Sequence, residues 1–379
     1  MDEKYVASAK IYPTEVLGKM SLLDMLEYFV EKGAMRVSDL HIKVGVPPTY
    51  RIDGDLVKLK GAKVTPELAE QLILPLLKGK STEQLDQGKS IDCSYRYGEI
   101  QFRINIFREN DGLAAAIRAL SLDIPSIEDI GFPNTIWQDI VNRKHGLVLL
   151  TGITGAGKST TIASMINRIG DKRATRIITI EDPIEYILPQ KHSIISQREV
   201  GRDVCTFQQG LTEMMREDPD IIFVGEMRDA ETIMMTLMAA ETGHLVFSTL
   251  HTRDVTGTIS RILDYFPEGR QAEVRTQLSL GLAYVVCQKL IPRKDGKGRI
   301  AAMEILNNNY ACANLIRTGK IEQIYTQLQT RTQDKPDQKM ITLENHLARL
   351  VKEDHVDLLE AQKWVNNIKT FTDCMQREL

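Results

Sequence analysis

The stretch Leu147-Val148-Leu149-Leu150-Thr151-Gly152-Ile153-Thr154-Gly155-Ala156-Gly157-Lys158-Ser159-Thr160 decides how this chain is read. An apolar run feeds a glycine-rich loop spaced G-x-x-x-x-G-K-S, and Ser159-Thr160-Thr161-Ile162-Ala163 opens a helix. Strand, loop and helix N-terminus in that order turn successive backbone N–H groups toward one point, where an anionic phosphate is stabilised. Glycine is required because a side chain would obstruct that approach. Gly152, Thr154, Gly155, Ala156, Gly157, Lys158, Ser159 and Thr160 are therefore the candidate nucleotide-binding residues. In this reading Lys158 neutralises β/γ-phosphate charge, the Ser159 hydroxyl joins the shell of a Mg²⁺ ion, and Thr160 reaches the α-phosphate. ATP with Mg²⁺ is the expected pair of ligands.

Downstream, Asp220-Ile221-Ile222-Phe223-Val224-Gly225-Glu226 is an apolar strand that ends in a carboxylate. Delivered to the C-terminal edge of a parallel sheet, Glu226 is the candidate general base for an attacking water. Ile178-Thr179-Ile180-Glu181-Asp182-Pro183-Ile184-Glu185 sets three carboxylates close together, which is costly without a cation or an arginine nearby. Mg²⁺ is the economical partner, with Glu185 its candidate ligand, in part through water; a salt-bridged cluster is the alternative. His244 and His251 bracket the apolar run 245–250 and so sit at opposite ends of one strand. His251, at the C-terminal end, is the candidate γ-phosphate sensor, whereas His244 reads equally well as a strand-start or core histidine.

Around these motifs, apolar strands at 146–150, 176–180, 221–224 and 245–249 alternate with helices after Lys158, near 206–216 and near 229–242. That rhythm predicts a mostly parallel sheet covered by helices. From Ser21 to about Leu120 the pattern differs. Gln101-Phe102-Arg103-Ile104-Asn105-Ile106-Phe107 alternates as a half-buried strand, and Asp53-Gly54 signals a hairpin, so this part reads as an α+β domain with an antiparallel sheet. Pro125 and its polar neighbours break the pattern. The boundaries expected are an N-terminal domain at 1–120, a linker at 121–133, an ATPase domain at 134–308 and a helical C-terminal region at 309–379, interrupted by a polar stretch at 331–339.

A length of 379 residues suits two such domains, and 42% apolar with 26% charged residues is globular rather than disordered composition. The formal charge of -3 gives no general attraction to nucleic acid or anionic lipid. No run approaches the roughly 18 apolar residues that span a bilayer. Met1-Asp2-Glu3-Lys4 lacks the basic-then-apolar order of a secretory signal, so a cytoplasmic location without a transmembrane segment is expected. Cys93, Cys205, Cys287, Cys312 and Cys374 are too scattered for a C-x-x-C metal site and read as buried, reduced thiols.

The loop 152–159, Ile180-Glu181-Asp182-Pro183-Ile184-Glu185, Gly225-Glu226-Met227-Arg228-Asp229 and Thr249-Leu250-His251-Thr252 together resemble the Walker A, Asp, Walker B and His boxes of the secretion ATPases. The likeness runs over roughly 38–342 and is nearest to the type IV pilus retraction ATPases of the PilT/PilU group. It implies an α/β protein with a PAS-like N-terminal domain, a RecA-like P-loop ATPase domain and nucleotide held between them. It also implies a homo-hexamer, at the cytoplasmic side of the inner membrane on a pilus platform protein, with a paralogous retraction ATPase as a further partner. By the same resemblance, Arg103, Arg118 and Arg261 match arginines that face the γ-phosphate, where a late-arriving cation stabilises developing charge. On the residues alone, Arg103 and Arg118 read as solvent-facing positions.

Assembly-type and type II secretion relatives usually carry a four-cysteine zinc module, which this sequence lacks, so retraction is favoured over extension. Ala311-Cys312-Ala313-Asn314-Leu315-Ile316-Arg317-Thr318 departs at three of eight positions from the retraction group's C-terminal motif. This leaves the choice between principal and accessory motor open, with the hairpin at 291–299 and the tail leaning toward the accessory type. A nucleic-acid translocase is the competing class, on the basic cluster Lys289, Arg293, Lys294, Lys297 and Arg299. That cluster lacks interleaved aromatics and reads better as a solvated hairpin.

Overall fold

The computed structural model describes residues 6–15, 18–33, 36–77, 82–98, 100–120, 123–334 and 339–376. The first five residues, two residues at the start of the expected linker, positions 335–338 of the polar stretch and the last three residues of the tail lie outside them. The chain divides into two units: one runs to Asp123 and takes in Glu181–Ile187 and Arg198–Cys205, and the other holds the remainder.

In the first unit a two-stranded pair, β1 (Tyr12–Pro13) and β2 (Lys19–Met20), precedes a six-stranded sheet. Its strands are β3 (Val37–Ile42), β4 (Thr49–Ile52), β5 (Asp55–Lys58), β6 (Ile91–Tyr97), β7 (Ile100–Glu109) and β8 (Gly112–Leu120), ordered β5-β4-β3-β8-β7-β6 and antiparallel throughout. Asp53 and Gly54, both at positive φ, make the hairpin between β4 and β5 that the Asp-Gly pair predicts. On β7 the alternation works as read: Phe102, Ile104 and Ile106 are buried while Arg103 faces out. The helix Leu22–Lys32 starts at a capping box formed by Ser21 and Asp24. It delivers Phe29 edge-on to Phe102, 5.1 Å between ring centres, at the middle of this core.

In the second unit, with the last residue of β10 and the last two of β11 counted in the first, β9 (Gly146–Thr151), β10 (Arg176–Glu181), β11 (Ile194–Glu199), β12 (Ile221–Val224), β13 (Leu245–Leu250), β14 (Leu282–Pro292) and β15 (Arg299–Asn307) build one sheet ordered β11-β10-β12-β13-β9-β14-β15. β10, β12, β13, β9 and β14 run parallel, and β15 returns antiparallel to β14. Every residue of β9, β12 and β13 is buried, which explains why they read as unbroken apolar runs: both faces of a parallel sheet are covered. β11 and the long β14–β15 hairpin are strands that periodicity did not single out.

Two buried groups in this unit carry opposite pH signatures. His346 is held neutral because burial pushes its pKa down to about 4, while its Nδ1 accepts from the Met303 amide at 2.9 Å. Burial pushes the Glu304 carboxyl up to about 7; the Val255 amide, donating at 2.7 Å, opposes this, and Glu344 and Asp254 add repulsion. An acid raised in the folded state is protonated on both sides of unfolding below its ordinary value of 4.5, so the stabilising contribution is complete there. As pH rises toward 7 the unfolded chain ionises first and that contribution is lost, on the order of 3 kcal/mol in all. Thermal unfolding of Glu304→Gln is therefore expected to gain on wild type as pH rises from below 4.5 to above 7; a gap independent of pH would contradict this.

Candidate nucleotide site

Three neighbouring parallel strands, in the order β12-β13-β9, end at one edge of the second unit's sheet. Glu226 follows β12, His251 follows β13, and the loop 152–157 follows β9. Parallel strands collect functional groups at such an edge because every strand points its C-terminal end there.

The loop needs glycine for steric reasons that can be named. At Gly152, φ is 147° and a Cβ would lie 2.4 Å from the Gln288 carbonyl oxygen; at Gly157, φ is 83° and a Cβ would lie 2.9 Å from the Gln288 side chain. Gln288 sits on β14, next to β9, and is buried. Its Nε2 donates to the Ala156 carbonyl at 2.8 Å, and its Oε1 accepts from the Thr161 hydroxyl at 2.9 Å. One amide thus clamps the last turn of the loop to the first turn of the helix Lys158–Lys172. Lys158 Nζ donates to the carbonyls of Gly152 at 2.8 Å and Ile153 at 3.2 Å, so its charge is held over the loop.

Glu226 is gripped on both carboxylate oxygens. Arg228 Nε donates to Oε2 at 2.9 Å, and His251 Nε2 lies 3.4 Å from Oε1. The strands beneath are pinned by side chains: the Ser248 hydroxyl donates to the Val224 carbonyl at 2.8 Å and Thr249 to the Gly225 carbonyl at 2.6 Å. His251 is thus placed beside Glu226, whereas His244, at the other end of β13, bonds the Ala239 carbonyl through Nδ1 at 2.9 Å. Arg261 lies on the helix Val255–Asp264 with its guanidinium 4.8 Å from the centre of the Tyr265 ring.

The remaining candidates belong to the first unit. Arg103 on β7 lies 3.6 Å from Glu185, so an arginine supplies at least part of the charge that the carboxylate cluster calls for. Arg118, directly opposite Arg103 on β8, donates through Nε to Asp39 at 2.8 Å. Both arginines remain substantially exposed, as the strand alternation implies.

Sequence reasoning missed Gln288, Arg228 and Asp39 as contributors. Gln288 had a usable signal, an amide directly after the apolar run 282–287; Arg228 stands two residues after Glu226 in the box already quoted, and Asp39 had no signal beyond its charge. Two expectations need correction. Lys289 is no part of a solvated basic hairpin: it is half-buried and donates to the Trp364 carbonyl and to Asn366 Oδ1, both at 2.8 Å, because the C-terminal helices pack onto β14. Cys205 is exposed, while the other four cysteines are buried.

Among the described residues, no three His, Cys, Asp or Glu side chains gather as a metal cage. A cation at the loop would take most of its ligands from phosphate and water, the habit of Mg²⁺, and the half-buried Ser159 hydroxyl fits that donor set. Replacing Gln288 by leucine would strand the Ala156 carbonyl and the Thr161 hydroxyl, at about 1–3 kcal/mol each. Nucleotide affinity, read with a fluorescent ADP analogue, is expected to fall about tenfold or more; unchanged affinity would show that the loop keeps its shape without the clamp.

Residues 23–358 match the family model described as Type II/IV secretion system protein. The chain is 41% identical over 312 residues to the type IV pilus retractation ATPase PilT of Pseudomonas aeruginosa, covering 82% of this chain and 89% of that one. It is 34% identical over 345 residues to the type IV pilus ATPase PilU of the same organism, covering 90% and 88%. A crystal structure of the pilus retraction motor PilT with bound ADP superposes with a TM-score of 0.81 at 39% identity, covering 94% of this chain and all of that one. With the phosphate loop, the Glu226–His251 pair and this likeness over most of the chain in place, the chain belongs to the Type II/IV secretion system protein family.

Proposed function

We propose that this chain is an ATP-hydrolysing motor subunit that powers type IV pilus retraction, as principal or accessory motor, within a homo-hexamer. The observation that carries the reading is the 41% identity to a pilus retraction ATPase over 82% of this chain and 89% of that one. The geometry supplies the chemistry to match. Lys158 neutralises phosphate charge at the loop, Thr160 and the amides of the loop 152–157 hold the phosphates, and Glu226 orients and deprotonates the attacking water. Arg228 and His251, one on each oxygen of Glu226, fix the direction in which that carboxylate points.

Ser159, and Glu185 in part through water, would hold Mg²⁺, which would supply neutralising charge to the phosphates. Arg103, Arg118 and Arg261 are assigned to the charge that develops on the transferring group. Among the described residues, no helix is long and apolar enough to cross a membrane. Contact with an inner-membrane pilus platform protein from the cytoplasmic side is accordingly proposed as peripheral, with a PilU-like paralogue as a further partner. The hexamer and the platform contact both follow the retraction ATPase reading.

The purified chain is expected to release phosphate from ATP, and Lys158→Ala to lose nucleotide binding, with turnover at least about 100-fold lower. Cells lacking the gene should carry excess pili that do not retract. Bald cells would indicate an assembly motor, and DNA-stimulated turnover would indicate a translocase.

A further inference from the structure

One fully buried carboxylate in the first unit has no part in the chemistry above. Glu199, at the end of β11, is 0% exposed. Its Oε1 accepts from the Ser94 amide at 3.3 Å; its Oε2 accepts from the Ser94 hydroxyl in a very short hydrogen bond and from the Ile184 amide at 3.3 Å. Arg202 lies 3.8 Å away and also donates to the Ser94 hydroxyl at 3.2 Å. A buried charge with this many donors is stable where it sits, and it is directional, because charge-assisted bonds weaken steeply when bent.

The position of those donors matters more than their number. β6 is the edge strand of the six-stranded sheet, and Ser94 on it stands directly opposite Arg103 on β7. Ile184 precedes Glu185 in the chain, and Glu185 faces Arg103 at 3.6 Å. Two adjacent residues are therefore tied to two adjacent strands, Ile184 through Glu199 to Ser94 and Glu185 to Arg103. The second tie is long and half exposed, so its net strength is small. The first is buried and multiply bonded, and it sets where the second can form.

We propose that Glu199 is a positioning residue for hydrolysis: by bridging Ser94 and the Ile184 amide it holds Glu185 in register with Arg103. This rests on the reading of Glu185 as a residue that acts in the reaction. Glu199→Gln keeps the shape and one acceptor oxygen but loses the charge, and a displacement of about 1 Å at a reacting group is enough to cost up to roughly 100-fold.

The test is steady-state ATP hydrolysis by the full chain with kcat and KM separated, for Glu199→Gln, Glu185→Gln and the double variant, alongside ADP affinity. The expected result is a kcat about tenfold or more below wild type for Glu199→Gln, with KM and ADP affinity retained, and no further loss in the double variant. Ser94→Ala should move kcat in the same direction by less, with Ser94→Thr restoring it, and this pair carries the test if Glu199→Gln does not fold. Wild-type kcat in Glu199→Gln, or a loss that multiplies with that of Glu185→Gln, overturns the proposal. Wild-type kcat in Glu185→Gln overturns instead the assignment of Glu185 on which it rests.

Discussion

A loop that must offer bare backbone amides to an anion has few contacts with which to hold its own shape, and here the constraint is met from outside by Gln288. Its side chain takes up an otherwise unpaired carbonyl at Ala156 and an otherwise unpaired hydroxyl at Thr161. Its backbone carbonyl comes so near Gly152 that no side chain fits there. Leaving a buried polar group unpaired costs about 1–3 kcal/mol, so the clamp is worth a large share of a marginal fold's stability. The amides are thereby arranged before any ligand arrives, which is what makes electrostatic stabilisation effective.

The support continues below the loop. Thr151, the last residue of β9, donates to the Cys287 sulfur at 2.8 Å, and Thr258 donates to Thr151 at 3.4 Å. Burial lifts the Cys287 thiol far above its ordinary range, so it acts as a small, protonated packing group rather than a nucleophile. Glu304 then fixes the Val255 amide at the start of the helix that carries Thr258 and Arg261. From β9 to that helix the polar groups described form one continuous buried series. The Glu226 carboxylate is different in kind: it is partly exposed and held by side chains that can let go.

Local signals made much of this legible. The spacing of Gly152, Gly157 and Lys158 fixed the loop, unbroken apolar runs fixed β9, β12 and β13, and Asp53-Gly54 fixed a hairpin, because each depends on a few consecutive residues. What could not be read depends on residues brought together from far apart. Arg103 faces Glu185 across 82 positions of sequence, and nothing near either residue names the other. Gln288 lies 132 positions from Ala156. Lys289 was misread because the carbonyl that buries it belongs to Trp364, 75 positions later, and charge alone does not tell a solvated lysine from one that has found a partner.

Glu226, held between Arg228 and His251, is the group proposed to drive hydrolysis of a nucleotide seated on the clamped loop. The most direct test is a single turnover of labelled ATP on Glu226→Gln. The amide keeps the shape of the site but cannot accept the water's proton, so ATP should bind as in wild type and remain intact while wild type converts it to ADP. Conversion at the wild-type rate would rule out Glu226 as the base and move that role elsewhere.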